Sequence, residues 1–264
     1  MPQAPKTLNS FEAIVQVIHD LRGPDGCPWD KEQTHSTLTQ YAIEEVHEMV
    51  EAVESGDDAH ICEELGDVLF QVVLHAEIAE QRKAFNIEDV IEGITSKIVR
   101  RHPHVFSDVK VTDSNEVIKN WEEIKRLEKK DKPASKDFFN VPPSLPSLQR
   151  SHKIGERTEK FAFDWNDPRQ VLTQVKAEIA ELEAAMEEKD QNHIEHELGD
   201  VLFSVAQLAR HLNAEPESTL REANRRFIRR FEKMVEISKS LDEFVKLSAV
   251  EKEHLWTLAK RNTK

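Results

Sequence analysis

Residues 63–70 read EELGDVLF, and residues 196–203 read HELGDVLF. Each copy sets two acids three residues apart, Glu64 with Asp67 and Glu197 with Asp200. Upstream of each copy stands another such pair, Glu45 with Glu48 and Glu178 with Glu181, so that all four acids repeat at a constant offset of 133. Four carboxylates brought into one small space repel, and they must protonate, spread into solvent or bind cations. Oxygen-only donors suit Mg²⁺ or Mn²⁺ rather than zinc. Mg²⁺ keeps waters and shares its sphere with substrate phosphates, which points to a nucleotide polyphosphate and metal-assisted displacement at phosphorus. Arg226, Arg230 and Lys260 would neutralise phosphate oxygens, and Trp256 would stack on a base or cover the site. The bland alternatives are a solvated helix face for any single acid pair and a packing role for Trp256. Repetition in register favours the metal site. His102 and His104 in RRHPHVF (100–106) are a weak zinc signal.

The acids need elements to hold them, and those elements are helices. Residues 29–102, 169–215 and 217–264 contain no proline, and the whole chain has only 7 glycines, well under the usual ~7%. The fold class is all-α. Helix starts are legible: Asn86 with Asp89, Asp167 before Pro168, and the Ser248-x-x-Glu251 box. Five helices are expected in each half: 9–21, 37–55, 58–82, 87–101 and 115–130, then 145–160, 168–187, 190–212, 217–239 and 248–261.

At about 100° per residue, Ala42, Ile43, Met49, Val50 and Val53 fall within about 60° of Val46. This predicts a core stripe. Glu45 and Glu48 lie on its flank, at about −100° and −160°. Ile61, Val68, Leu69 and Val72 line up likewise with Leu65, and place Glu64 and Asp67 in the same sector. A short turn near Gly56 would bring both acid pairs to one edge of a helix hairpin. Val175, Ile179, Leu182 and Met186 are expected to face inward in the second copy. Gly66 and Gly199 read as small residues that permit close helix packing.

The repeat continues beyond the acids. Lys97 and Arg101 match Arg226 and Arg230 at an offset of 129, and Trp121 and Lys125 match Trp256 and Lys260 at 135. Duplication of one helical module accounts for this. Four of the 11 prolines fall in residues 131–150, the one credible linker. The chain therefore divides into an N-terminal helical domain (1–130), a Pro-rich linker (131–150) and a C-terminal helical domain (151–264).

Bulk properties bound the function classes. A net charge of −14 disfavours nucleic acid and acidic membrane as partners, because both need a basic face. The 2 cysteines, Cys27 and Cys62, have no metal-ligand spacing and suit a reducing cytoplasm. MPQAPKTLNS has no apolar core and so reads as no secretory signal. The most apolar run, VLFQVVLHA, is too short to span a bilayer.

These motifs resemble the MazG nucleoside triphosphate pyrophosphohydrolases, whose signature is E-E-x-x-E, a spacer, then E-x-x-D. Here the copies read EEVHE (44–48) with ELGD (64–67), and AEIAE (177–181) with ELGD (197–200). GCPWDKEQT (26–34), RRHPHVF and VPPSLPSLQRSHKI (141–154) are similar to the two-domain bacterial form, so the resemblance covers essentially the whole chain. It implies two tandem MazG-like helical bundles in a homodimer, and Mg²⁺-dependent hydrolysis of nucleoside triphosphates to monophosphate and pyrophosphate. House-cleaning of aberrant nucleotides and tuning of pools under stress both fit that activity. The implied metal ligands are Glu178, Glu181, Glu197 and Asp200, with a second site at Glu45, Glu48, Glu64 and Asp67. Asn224, Arg226, Arg230, Trp256 and Lys260 would hold the nucleotide, and Glu178 or Glu181 would act as general base.

The resemblance favours the C-terminal half as the main catalyst. Ala177, in place of the first Glu, counts against that. Pro103 counts for it, because proline disfavours helix at the residue before it, whereas ANRRFIRRFEKM (223–234) runs on. Arg226 and Gln174 stand where relatives commonly carry Lys, which bears on substrate preference. Two rivals remain: a non-catalytic dimerisation or regulatory scaffold, and a di-iron carboxylate bundle, for which Glu44/His47 and Glu251/His254 lack repeat partners.

Overall fold

A computed structural model describes residues 2–130 and 139–262. The first part of the Pro-rich segment, 131–138, lies outside the described residues. Thirteen α-helices and no strand occur among the described residues. No helix there is long and apolar enough to cross a membrane. The chain divides into two compact units, Met1–Pro133 and Ala134–Lys264.

The centre of the first unit is a hairpin of α3 (His35–Ser55) and α4 (Asp58–Gln81). Gly56 takes the left-handed conformation between them (φ 75°), and the Asp57 side chain accepts from the Ala59 and His60 amides to start α4. A helix end needs such a left-handed stop, and the next helix needs an acceptor for its first amides. α1 (Phe11–Arg22) packs on α4, burying Ile18, Leu38, Val73, Leu74 and Ile78 together. α2 (Pro28–Glu32), α5 (Ile87–Arg101), α6 (Pro103–Phe106) and α7 (Ser114–Lys130) complete the unit. The Asn86–Asp89 capping box expected from sequence is formed.

The second unit repeats the hairpin with α9 (Pro168–Glu188) and α10 (Gln191–His211). Asp167 caps α9 ahead of Pro168, and Asp190 caps α10. The left-handed position is here Lys189 (φ 59°) instead of glycine. α8 (Ser147–Glu159) packs on α10. A side chain at Gly155 would run into Gln207 and Arg210, so glycine is what lets the two helices approach. Val141 is also buried. Arg210 donates to both oxygens of Asp164, at 2.9 and 2.5 Å, and the His211 ring lies 3.1 Å from the same carboxylate. Burial acts to raise the Asp164 pKa, but the hydrogen bonds from Arg210 and His211 win and hold it low. α11 (Pro216–Ile237), α12 (Leu241–Lys246) and α13 (Ala249–Asn262) enclose Met234, Phe244 and Ala259. The Ser248–Glu251 box starts α13.

The expected core stripe is corrected by the structure. Val46, Ile43, Leu69 and Val72 are exposed, as are Val53 at 55% and Leu65 at 52%. In the second copy Val175 is buried, but Ile179 is exposed, with Met186 at 58% and Leu202 at 52%. The buried face of α3 carries Leu38 and Ala52, at about −80° and −120° from Val46. That is the sector of Glu45 and Glu48. Ala52 and Ala185 are fully buried, and their small side chains let the paired helices close on the acid-bearing flank. The apolar stripe therefore faces outward from each hairpin. Gly66 and Gly199 are corrected as well: an added Cβ would meet nothing within 4 Å at either, so neither serves packing inside its unit.

Candidate functional site

Within each hairpin the two helices bring acids together. Glu45, Glu48 and Glu64 can each place one carboxylate oxygen so that all lie within 4.8 Å of one another. Glu178, Glu197 and Asp200 do the same in the second unit. Asp67 and Glu181 fall outside these two sets, although each shares a helix with members of its cluster. Neither cluster contains a histidine, and neither Glu44/His47 nor Glu251/His254 takes part among the described residues. The donors are carboxylate oxygens throughout, which fits Mg²⁺ or Mn²⁺ and not di-iron or zinc chemistry.

Burial sharpens the fit. Glu64 is 7% exposed and Glu197 6%. Carboxylates are almost never that buried without a partner. Glu64 Oε2 is buried and has no hydrogen-bond partner among the described residues, and Gln71 Oε1 is in the same state. Gln71 Nε2 donates to Glu45 Oε1 at 3.4 Å. The Glu45 carboxyl is pushed up in pKa, first by burial, then by the charge of Asp67, with Glu48 and Glu64 adding to it, against the Gln71 hydrogen bond. A divalent cation would satisfy the orphaned oxygen and cancel the repulsion together. In the second cluster, Gln174 Nε2 donates to Glu178 Oε1 at 2.7 Å.

Sequence reasoning missed one repeated contact. His60 Nε2 lies 3.1 Å from Glu64 Oε1, and His193 Nε2 lies 3.2 Å from Glu197 Oε1. The two histidines share the offset of 133 with the acids, so the same self-comparison held the signal. His193 also places Nδ1 3.0 Å from Glu188 Oε2. The hydrogen bond to Glu188 is the main cause of a raised His193 pKa.

The basic and aromatic residues sit on α11 and α13, which pack together. The Arg230 guanidinium stands 5.8 Å from the Trp256 ring centre, and Lys260 Nζ stands 5.4 Å from it. Arg230 Nε is buried without a hydrogen-bond partner among the described residues. Trp256 also packs on Phe227 at 5.3 Å and borders the Met234–Phe244–Ala259 core, so its packing role is real. Arg226 is exposed and pairs with Glu222 at 3.5 Å. Asn224 is exposed on α11. The structure thus joins Arg230, Trp256 and Lys260, and leaves Asn224 and Arg226 on the open surface of the same helix.

The first unit treats its equivalents differently. Lys125 lies 3.9 Å over Trp121, as the repeat predicts. Arg101, however, is bound to Glu128 at 2.6 Å, and Arg100 binds the same carboxylate at 2.7 Å. The bond from Arg101, then that from Arg100, lowers the Glu128 pKa to about 2.

Comparison with known proteins bears on the same residues. The family model described as the MazG nucleotide pyrophosphohydrolase domain matches residues 33–106 and 166–236, which span both hairpins. The nucleoside triphosphate pyrophosphohydrolase/pyrophosphatase MazG of Thermotoga maritima is 45% identical over 86% of this chain and 86% of its own. A nucleoside triphosphate pyrophosphohydrolase of Escherichia coli is 40% identical over 87% of this chain and 89% of its own. The uncharacterized protein YabN of Bacillus subtilis is 43% identical over 96% of this chain and 52% of its own.

Proposed function

Because the chain belongs to the MazG nucleotide pyrophosphohydrolase family, we propose that it hydrolyses nucleoside triphosphates to monophosphate and pyrophosphate with Mg²⁺, or Mn²⁺ in its place. The observation that carries this is the carboxylate cluster around the buried Glu197: oxygens of Glu178, Glu197 and Asp200 lie within 4.8 Å of one another, an arrangement that suits a divalent cation. When bound, the ion supplies charge neutralisation, grips the triphosphate and acidifies an attacking water. The protein does the rest. The bases open to taking the proton from that water are Glu178 and Glu181, one helical turn apart. The water oxygen bonds to the α- or β-phosphorus as the bridging P–O bond breaks. Arg230 and Lys260 hold phosphate oxygens and meet the charge that develops on them. Arg226 and Asn224 extend that surface, and Trp256 closes it on one side.

The second unit is the main catalyst in this reading, and the tandem domains 1–130 and 151–264 divide the work. Arg100 and Arg101 share the one carboxylate of Glu128, so the first unit has an acid cluster but its arginine at the Arg230 position is already engaged.

The working form is a homodimer. Val46, Leu65 and Val72, with their counterparts Ile179, Leu198 and Val205, are exposed on paired helices, as is Ile43. Each hairpin is half of a four-helix bundle, and a second copy completes it. Gly66 and Gly199 lie open on these helices, where a partner helix could come close. A reducing cytoplasm suits the free thiols of Cys27 and Cys62.

The test is product analysis over a panel of triphosphates with Mg²⁺. Pyrophosphate and monophosphate are expected, and Glu178→Gln with Glu197→Gln should abolish both while helix content is kept. Orthophosphate as the product, or full activity in the double variant, overturns the assignment.

A further inference from the structure

The buried glutamate of each cluster is held by a histidine one helical turn before it. Both histidines sit in the first turn of their helix, where the N-cap aspartate reaches their own amide: Asp57 Oδ1 is 3.4 Å from the His60 nitrogen, and Asp190 Oδ1 is 3.4 Å from that of His193. The cap thus fixes the histidine backbone, and the ring of the same residue lies against the carboxylate, at 3.1 Å in the first unit and 3.2 Å in the second. In the first unit the ring takes Glu64 Oε1, and the oxygen left over, Oε2, is the buried one without a partner among the described residues. A glutamate has three side-chain torsions, and a bond to one oxygen fixes where the other points.

The second unit grips its ring from both sides. Glu188, the last residue of α9, meets His193 Nδ1 at 3.0 Å. Glu188–His193–Glu197 therefore ties the end of one hairpin helix to the buried ligand on the other. The first unit has Ser55 at the position of Glu188. Its hydroxyl donates to the Ala52 carbonyl at 2.7 Å, so His60 lacks this outer acid.

We propose that His193 is a positioning residue that, braced by Glu188, fixes the rotamer in which Glu197 presents an oxygen to a divalent cation; His60 does the same for Glu64 with a looser hold. The inference rests on the metal-site reading above. Neither histidine belongs to the three-oxygen sets themselves. Partners of this kind, behind a ligating group, typically change metal affinity by about 10- to 100-fold when removed.

The full chain is titrated with Mn²⁺ alone, read by the loss of free-ion EPR signal, with Glu45→Gln and Glu48→Gln silencing the first cluster. His193→Ala is expected to weaken Mn²⁺ binding by about 10-fold or more. His193→Gln, whose amide can still donate to Glu197, recovers most of the loss. Glu188→Ala, at the exposed end of the relay, gives a smaller loss with unchanged helix content. Equal Mn²⁺ affinity in His193→Ala and Glu188→Ala overturns the positioning role and leaves the metal site standing. Failure of the background chain itself to bind Mn²⁺ overturns both.

Discussion

Replacing Glu197 by Gln should raise the stability of the metal-free protein, the reverse of what a buried structural carboxylate would do. The Glu197 oxygen lies within 4.8 Å of oxygens on Glu178 and Asp200. At that distance and an effective dielectric of about 20, each full-charge pair repels by about 3.5 kcal/mol. Glu197 belongs to two such pairs, about 7 kcal/mol before solvent and salt are counted. Solvent reaches Glu178 and Asp200, which are only half-buried, and salt screens them. The surviving repulsion is about 1–3 kcal/mol. The 3.2 Å contact with His193 is weakened rather than removed, because a Gln amide oxygen can still face the ring, and its weakening offsets only part of the gain. A rise of several degrees in Tm in chelator follows. Saturating Mg²⁺ reverses the order: at 100 times Kd the parent gains about 2.7 kcal/mol, and the variant gains little. Thermal unfolding with EDTA and with Mg²⁺ reads both. If Glu197→Gln melts below the parent in EDTA, the carboxylate is satisfied without a cation and the reasoning fails.

Lys189 holds a left-handed conformation (φ 59°) where the first unit has Gly56, so Lys189→Gly should stabilise the second unit by about 1 kcal/mol, read as a higher Tm. The Asp164 pKa is lowered in the folded state; its contribution is therefore present above the unfolded value of about 3.9 and is lost as pH falls through the folded one. Asp164→Asn should remove that acid-limb slope in urea titrations and cost about 2 kcal/mol at neutral pH, less than for a fully desolvated pair, because Glu159 stays 3.5 Å from Arg210. Leu202→Asp, at a 52% exposed position, should shift the chain from dimer to monomer in sedimentation equilibrium without loss of helix content; an unchanged dimer would place the interface elsewhere.

Much of this was legible in the sequence because a duplicated chain supplies its own comparison. The ten expected helices all occur, with ends within a few residues, since proline-free stretches and caps such as Asn86 and Asp167 mark them. Three short helices, α2, α6 and α12, were not foreseen, because four to six residues carry no periodicity to detect. The acids were found as a set, but their place was misread. A helical stripe says which residues are apolar and not what covers them. Val46 and Leu65 looked like core, and yet Ala52 and the acid flank face the neighbouring helix. His193 escaped notice because a half-exposed histidine in a first turn has no motif; only its contact with Glu197 gives it meaning. The Arg101–Glu128 bond was equally hidden, since it joins α5 to α7 and the repeat position of Glu128, at the offset of 135, is Thr263 rather than an acid.

The central claim is that carboxylates on facing helices hold a divalent cation. Anomalous diffraction from crystals grown with Mn²⁺ and a non-hydrolysable triphosphate tests it most directly. A manganese peak is expected among Glu178, Glu197 and Asp200, with phosphate oxygens completing its sphere. Ordered triphosphate elsewhere, with no anomalous signal at those three side chains, would contradict it.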